Sequence, residues 1–232
     1  MLRRILNRLI LITLINLCTA CAQLYHHPIA IPSQEELAAR AKILASKTKN
    51  IKPEVIQLAL QAYYKARSEG FDQQGILTVI DYSKPSNQRR FWVFDLKTNQ
   101  LLFEEYVAHG KNSGDKVATH FSNDMGSMTS SIGLYVTAKF PYMGRHGYSL
   151  RLAGLDKGFN NLAAERAIVV HGATYVSKEF AKVYGKLGLS WGCPALNPKM
   201  VKPIIDHIKG GTLIFAYYPD KKWIQESHYL NL

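Results

Sequence analysis

At Gly75 the apolar residues of this 232-residue chain change their period. Upstream they recur at helical spacing. Leu37, Ala41, Leu44 and Ala45 follow the capping box Ser33-x-x-Glu36, and Ile56, Leu60 and Tyr63 stripe a segment that opens at Pro53 and closes at Gly70. Downstream, β-branched and aromatic runs take over: 76–81, 89–96 and 101–108, parted by the polar turns 83–88 and 97–100, then 132–138, 167–171 and 212–218. Two short helices are expected at 177–184 and 203–209. The second should not begin much earlier, because Pro203 lacks an N–H and crowds the preceding turn. Gly-, Ser- and Asn-rich stretches at 109–131 and 140–160 read as loops. This order predicts a mainly β, α+β domain with helices at one end and long loops free to carry a site.

The first 22 residues read as a secretory signal. Arg3, Arg4 and Arg8 precede the apolar run 9–17, and small residues follow at Thr19-Ala20-Cys21-Ala22. That run is too short to span a bilayer, which takes about 20 residues. Two cleavages are open. Ala20-Cys21-Ala22 is an A-x-A site that would release a chain beginning at Gln23. Thr19-Ala20-Cys21 resembles the end of a lipobox and would make Cys21 a lipid-bearing N-terminus, although Cys18 stands where that motif usually has Leu. The expected location is therefore the periplasm or cell envelope, soluble or anchored through Cys21. Residues 23–74 would form a tether and the N-terminal helices, 75–220 the main domain, and 221–232 a C-terminal tail.

Loss of the three signal arginines takes the formal net charge from +12 to +9. Such a chain suits anionic partners such as carboxylate-rich peptides, phosphate polymers or lipid head groups, and export sets nucleic acid aside. A lysine-rich surface that is merely solvated fits the charge as well.

Cysteine usage is more informative. Cys18 and Cys21 belong to the signal or its anchor, so Cys193 has no disulfide partner in the mature domain. An unpaired thiol in an oxidising compartment is either buried or used. It lies in Ser190-Trp191-Gly192-Cys193-Pro194, where Gly192 permits a tight turn and Pro194 fixes the exit. The Gly192 and Cys193 amides can then face the same way as the thiol, as an oxyanion hole requires. The plain alternative is a small apolar cysteine buried in an ordinary turn. A nucleophilic thiol also needs a base. His171 closes the apolar run 167–170, where a strand would hold it rigidly, and the Gly172 carbonyl can fix its tautomer as a carboxylate does in other triads. Taken alone, that histidine is more simply a structural hydrogen-bonding group.

Together, His171-Gly172 and Ser190-x-Gly192-Cys193, with 22 residues from histidine to cysteine, resemble the signature of the L,D-transpeptidase catalytic domain (YkuD-like) family. The likeness is to its murein branch, which carries an SWGCPAL-type cysteine motif. It extends to VAHGKNSG at 107–114, FSN at 121–123, SSIG at 130–133 and YMGRHG at 142–147, and covers about residues 75–218. The resemblance implies a β-sandwich or mixed-sheet catalytic domain that works on peptidoglycan stem peptides without a cofactor or metal. It also implies that Cys193 attacks the carbonyl on the L-centre of a diamino acid and expels D-alanine. An amine from a neighbouring stem would then resolve the thioester into a crosslink.

In that scheme His171 moves the protons, and the amides around Trp191, Gly192 and Cys193 hold the oxyanion. Tyr142, Gly144 and His146 line the donor groove, Ser190 orients the turn, and Trp191 packs against the stem or buttresses the loop. Two departures bear on the acceptor: Ala195 stands where many members carry Arg or Asn, and Ser130-Ser131-Ile132-Gly133 where many carry T-P-x-G. With water in place of the amine, the same machinery is an L,D-carboxypeptidase or endopeptidase. A non-catalytic wall-binding lipoprotein is a third reading, which a fast thiol with a pKa below the free-cysteine value of about 8.5 would argue against. His109, His120, His146 and His171 form no HExxH or other metal-ligand spacing.

Overall fold

The computed structural model describes residues 30–231, so the signal segment, the alternative cleavages at Cys21 and most of the tether lie outside the described residues. Helix α1 (Gln34–Ala45) begins with the expected capping box. Ser33 Oγ accepts from the Glu36 amide at 3.2 Å, and Glu36 Oε2 accepts from the Ser33 amide at 2.8 Å. Helix α2 (Pro53–Ser68) starts with proline at its first position, where no intrahelical N–H is lost.

Nine strands follow. They are β1 (Ile76–Asp81), β2 (Phe91–Asp95), β3 (Gln100–Glu105), β4 (Gly133–Thr137), β5 (Tyr142–Gly144), β6 (Gly147–Gly154), β7 (Val169–Gly172), β8 (Ala195–Leu196) and β9 (Leu213–Tyr217). They make one mixed sheet in the order β3-β2-β1-β9-β4-β6-β7-β8, with β5 pairing to β6. The β1–β9 and β7–β8 pairs are parallel and the others antiparallel.

Side chains alternate across the central strands with period two. Leu77, Val79, Trp92, Phe94, Leu134, Leu213 and Phe215 pack with α1 and α2 on one side. Ile80, Phe91, Val93, Tyr135, Ile214 and Ala216 pack on the other against Ile204, Ile205 and Ile208 of helix α4 (Pro198–Ile208). Both faces of the sheet are thus covered, which is why β1 and β9 read as nearly continuous apolar runs.

The structure departs from the sequence reading in four places. Helix α4 begins at Pro198, with Asn197 capping the Lys199 amide at 2.9 Å, and Pro203 lies inside it. An interior proline costs about 3 kcal/mol. The buried stripe Val201, Ile204, Ile205 and Ile208 outweighs that, at roughly 1.5–3 kcal/mol per side chain. The stretch 140–160 contains the β5–β6 hairpin, whose two-residue turn Arg145-His146 is followed by Gly147 at φ 76°. Leu150 and Leu152 point inward while Arg151 and Ala153 are exposed. The run 101–108 leaves β3 after Glu105 and crosses to the far edge, where Ala108 pairs with Ala195 and Gly110 with Ser190.

Finally, residues 221–231 are packed rather than trailing. Helix α5 (Lys221–Glu226) is capped by Asp220, and Trp223, Tyr229 and Leu230 join the same core as α1 and α2. Helices, the helix-facing side of the sheet and the C-terminal segment therefore share one core that spans residue 75. Helix α3 (Lys178–Tyr184) forms where expected, capped by Ser177.

Candidate active site

Sheet register brings the two reactive residues together. Strands β7 and β8 run parallel with His171 opposite Ala195, so Cys193 lies two residues before the partner of His171. Both line one cavity of about 230 Å³ with Ser190, Trp191 and His146. Arg145, Tyr175 and Leu189 complete it, and the sequence reading had not singled these out.

His171 is buried. Its Nδ1–H donates to the Gly172 carbonyl at 3.0 Å, which assigns the tautomer and leaves the lone pair on Nε2. The His146 ring stacks on it with centroids 4.4 Å apart and planes 28° from parallel. Burial lowers the pKa of His171, the Gly172 hydrogen bond opposes this, and His146 lowers it further.

The Cys193 thiol accepts from the Val169 amide at 3.5 Å and lies 3.9 Å from the Ala167 carbonyl. Among the described residues no hydrogen bond joins it to the imidazole. Burial pushes its pKa up, against the Val169 N–H and the Arg166 charge. At rest, therefore, the thiol does not show the lowered pKa that would have told against a non-catalytic wall-binding protein. With one partner raised and the other lowered, the resting pair is a neutral thiol beside a neutral imidazole.

Ser190 builds the turn. Its Oγ donates to the Cys193 carbonyl at 2.7 Å and accepts from the Gly192 amide at 3.1 Å. The Gly192 amide is thus committed within the turn and is not the free oxyanion donor the sequence suggested. What Gly192 supplies is conformation: φ is 116°, and a Cβ there would lie 2.5 Å from the Thr129 carbonyl oxygen. Among the described residues the Trp191 and Cys193 amides have no intramolecular acceptor. Trp191 is 65% exposed at the mouth of the cavity, with Lys111 Nζ 5.9 Å from its ring centroid.

Tyr142 and Gly144 do not line this cavity. The Tyr142 ring carries the Arg151 guanidinium at 4.6 Å and packs on Gly144. Of the residues expected in the donor groove, only His146 reaches the thiol's cavity, because it sits in the turn of the β5–β6 hairpin while Tyr142 starts the strand before it.

Two networks, one buried and one half-buried, hold the site from behind. Fully buried Arg90 donates to the Val107 and Lys84 carbonyls and contacts His109 Nδ1 at 2.6 Å. Because arginine only donates, His109 accepts at Nδ1 and donates from Nε2 to the Gly114 carbonyl at 3.1 Å. The His109 carbonyl in turn accepts the Ser190 amide at 2.9 Å, and the Lys111 amide donates to the Ser190 carbonyl at 2.8 Å. The second network centres on Arg166, which ties the 122–131 loop to the segment before β7. The sequence signalled neither: a lone Arg in a strand-like run and another at the end of a loop are indistinguishable from surface cations.

The fold is a mixed sheet that carries a cysteine and a histidine in one cavity at its edge. The chain matches the L,D-transpeptidase catalytic domain over residues 47–217 and belongs to that family. No curated protein matches the sequence. Solved structures similar to it include an L,D-transpeptidase from Mycobacterium smegmatis, at 16% identity and a TM-score of 0.38, with 62% of this chain and 59% of that one covered. Others are an L,D-transpeptidase from Xylanimonas cellulosilytica (14%, 0.36, 78% and 93%) and one from Stackebrandtia nassauensis (14%, 0.36, 81% and 92%). The chain spans about 59% of the length of the mycobacterial protein.

Proposed function

We propose that this protein is a peptidoglycan L,D-transpeptidase in which Cys193 is the nucleophile and His171 the base. The observation that carries the reading is the orientation of His171. With Nδ1–H bonded to Gly172, the basic nitrogen is Nε2, on a ring that shares a cavity with the thiol. Family membership supports the substrate class, a stem peptide of the wall. The signal-like N-terminus supports an envelope location, soluble or anchored at Cys21.

In the first half-reaction Cys193 Sγ bonds to the carbonyl carbon on the L-centre of the diamino acid, and the thiol proton passes to His171 Nε2. The C–N bond to D-alanine then breaks, and the leaving amine takes that proton, which leaves a thioester. In the second, the amine of another stem attacks the thioester and gives a proton to Nε2. The thiolate leaves and is reprotonated, so enzyme and proton count are restored. The Cys193 and Trp191 amides are the donors available to the tetrahedral oxyanion.

The test is incubation of the purified protein with a disaccharide-tetrapeptide, with products weighed by mass spectrometry. A dimer lighter by one D-alanine is expected, with none from Cys193→Ala and a severely slowed yield from His171→Ala. A tripeptide monomer would mean that water resolves the thioester. Full activity in Cys193→Ala would sink the mechanism.

A further inference from the structure

We infer that Arg166 is a positioning residue for the Cys193 thiolate: its guanidinium, fixed behind the Gly192–Cys193 turn without a carboxylate partner, supplies the positive charge against which the ionised sulfur forms. The inference rests on reading Cys193 as the nucleophile.

The fork is held by neutral acceptors. Nη1 donates to the Ser122 carbonyl at 2.7 Å and Ser131 Oγ at 3.1 Å, and Nη2 to the Thr129 carbonyl at 2.6 Å and Ser127 Oγ at 3.1 Å. The same Nη2 lies 3.3 Å from where a Cβ on Gly192 would sit, so the cation is packed directly on the turn that carries the thiol. Ala167, next in sequence, adopts φ 54°, uncommon for alanine, and its carbonyl lies 3.9 Å from the sulfur.

Among the described residues Arg166 forms no salt bridge. Asp124, the carboxylate that acts on it, is exposed and bonded to Ser122 Oγ. A half-buried cation satisfied by neutral groups alone is less stable than a paired one. The arrangement becomes favourable when an anion appears beside it, and on this turn the group able to become one is the thiol.

Of the surrounding groups, Arg145 is the other cation, and its exposure to solvent screens it. From the cavity side the sulfur shares its space with His171, His146, Arg145 and Tyr175. His171 is held neutral, and Arg145 and His146 sit in the exposed hairpin turn. From beneath, Tyr82 and Tyr135 are buried, with pKa values raised by burial. Arg166 opposes the burial-driven rise of the Cys193 pKa, and reciprocally Cys193 supports the charge of Arg166.

The experiment is iodoacetamide alkylation of the full chain from neutral to alkaline pH, with the Cys193-bearing peptide followed by mass spectrometry. Arg166→Met should move the alkylation midpoint up by about one pH unit and cut the rate at neutral pH about tenfold. Arg166→Lys, which keeps the charge, should stay near wild type. Ser127→Asp sets a carboxylate against the guanidinium while the arginine remains, and should shift the midpoint upward as Arg166→Met does. If Arg166→Met does not fold, Ser127→Asp and Arg166→Lys still decide the matter. Unchanged midpoints in the folded charge-neutralised variants would overturn the inference. The nucleophile reading fails separately, through muropeptide turnover by Cys193→Ala.

Discussion

Acidification should weaken this protein through one histidine. His109 is buried with its Nδ1 committed to accepting from Arg90 and its Nε2–H to the Gly114 carbonyl. Protonation would put a hydrogen on Nδ1, facing a guanidinium that is itself fully buried. Burial, then Arg90, hold the His109 pKa down at about 4, against about 6.5 in an unfolded chain. Because the folded value is depressed, the unfolded chain takes up the proton first as pH falls. The contribution is fully present above about pH 6.5, shrinks through the window between the two values, and levels off below about 4. With 1.36 kcal/mol per pH unit, the loss is about 2 kcal/mol by pH 5 and about 3 kcal/mol by pH 4. Urea unfolding of wild type and His109→Gln between pH 7.5 and 4.5 isolates the effect, since carboxylates and His171 titrate in both proteins. Wild-type stability should fall more steeply by about 2 kcal/mol between pH 6.5 and 5. Parallel curves would refute the account. The same pH change bears on the site, because the His109 carbonyl holds the Ser190 amide.

Gly192→Ala should cost at least about 2 kcal/mol in thermal unfolding, from a positive φ and a Cβ 2.5 Å from a backbone oxygen, and should abolish turnover; wild-type stability would contradict the turn geometry. Ser190→Ala removes the partner of the Gly192 amide and a donor to the Cys193 carbonyl. It should cost roughly 1–3 kcal/mol and lower kcat, with Ser190→Thr partly restoring both. Trp223→Ala should destabilise by about 3–5 kcal/mol in urea titrations, since the C-terminal segment fills the helix-side core. With the His171 pKa lowered by burial, the acid limb of kcat/KM should fall below about pH 6.5; a limb above that value would mean that another group is the base.

What could be read from the sequence was whatever local periodicity or a contiguous motif encodes. The Ser33–Glu36 cap, the strand at 76–81 and the cysteine turn are short-range features, and the structure shows the first two with the same bounds. The hairpin at 142–154 was missed because its inward residues, Leu150 and Leu152, are only two and Gly and Arg surround them. Pro203 misled because helix propensity is local, whereas the face carrying Ile204, Ile205 and Ile208 is stabilised by the sheet beneath it. The committed amide of Gly192 was invisible for a different reason. The Ser190 backbone is held by His109 and Lys111, and the Gly192 carbonyl by Ser130 Oγ, partners far away in sequence. Arg90 and Arg166 escaped notice likewise, since burial of a cation is a property of the tertiary fold.

The buried imidazole and the half-buried thiol bear on how an unpaired cysteine can be carried by an exported chain of the kind proposed. Oxidants and disulfides react with thiolate far faster than with thiol, so a resting thiolate would be lost in an oxidising compartment. Here burial raises the thiol pKa and lowers that of the imidazole, so an isolated charge on either is disfavoured. Transfer of one proton from sulfur to Nε2 creates both charges at once, and their mutual attraction offsets part of the desolvation cost. The sulfur lines the same cavity as His171 while contacting the Val169 amide at 3.5 Å and lying 3.9 Å from the Ala167 carbonyl. On the proposed mechanism, a substrate carbonyl seated at the Cys193 amide gives the sulfur a carbon to bond to, and ionisation is coupled to attack rather than preceding it. On the proposed reading, the same shielding that makes Cys193 a poor nucleophile at rest keeps it intact until a stem peptide fills the cavity.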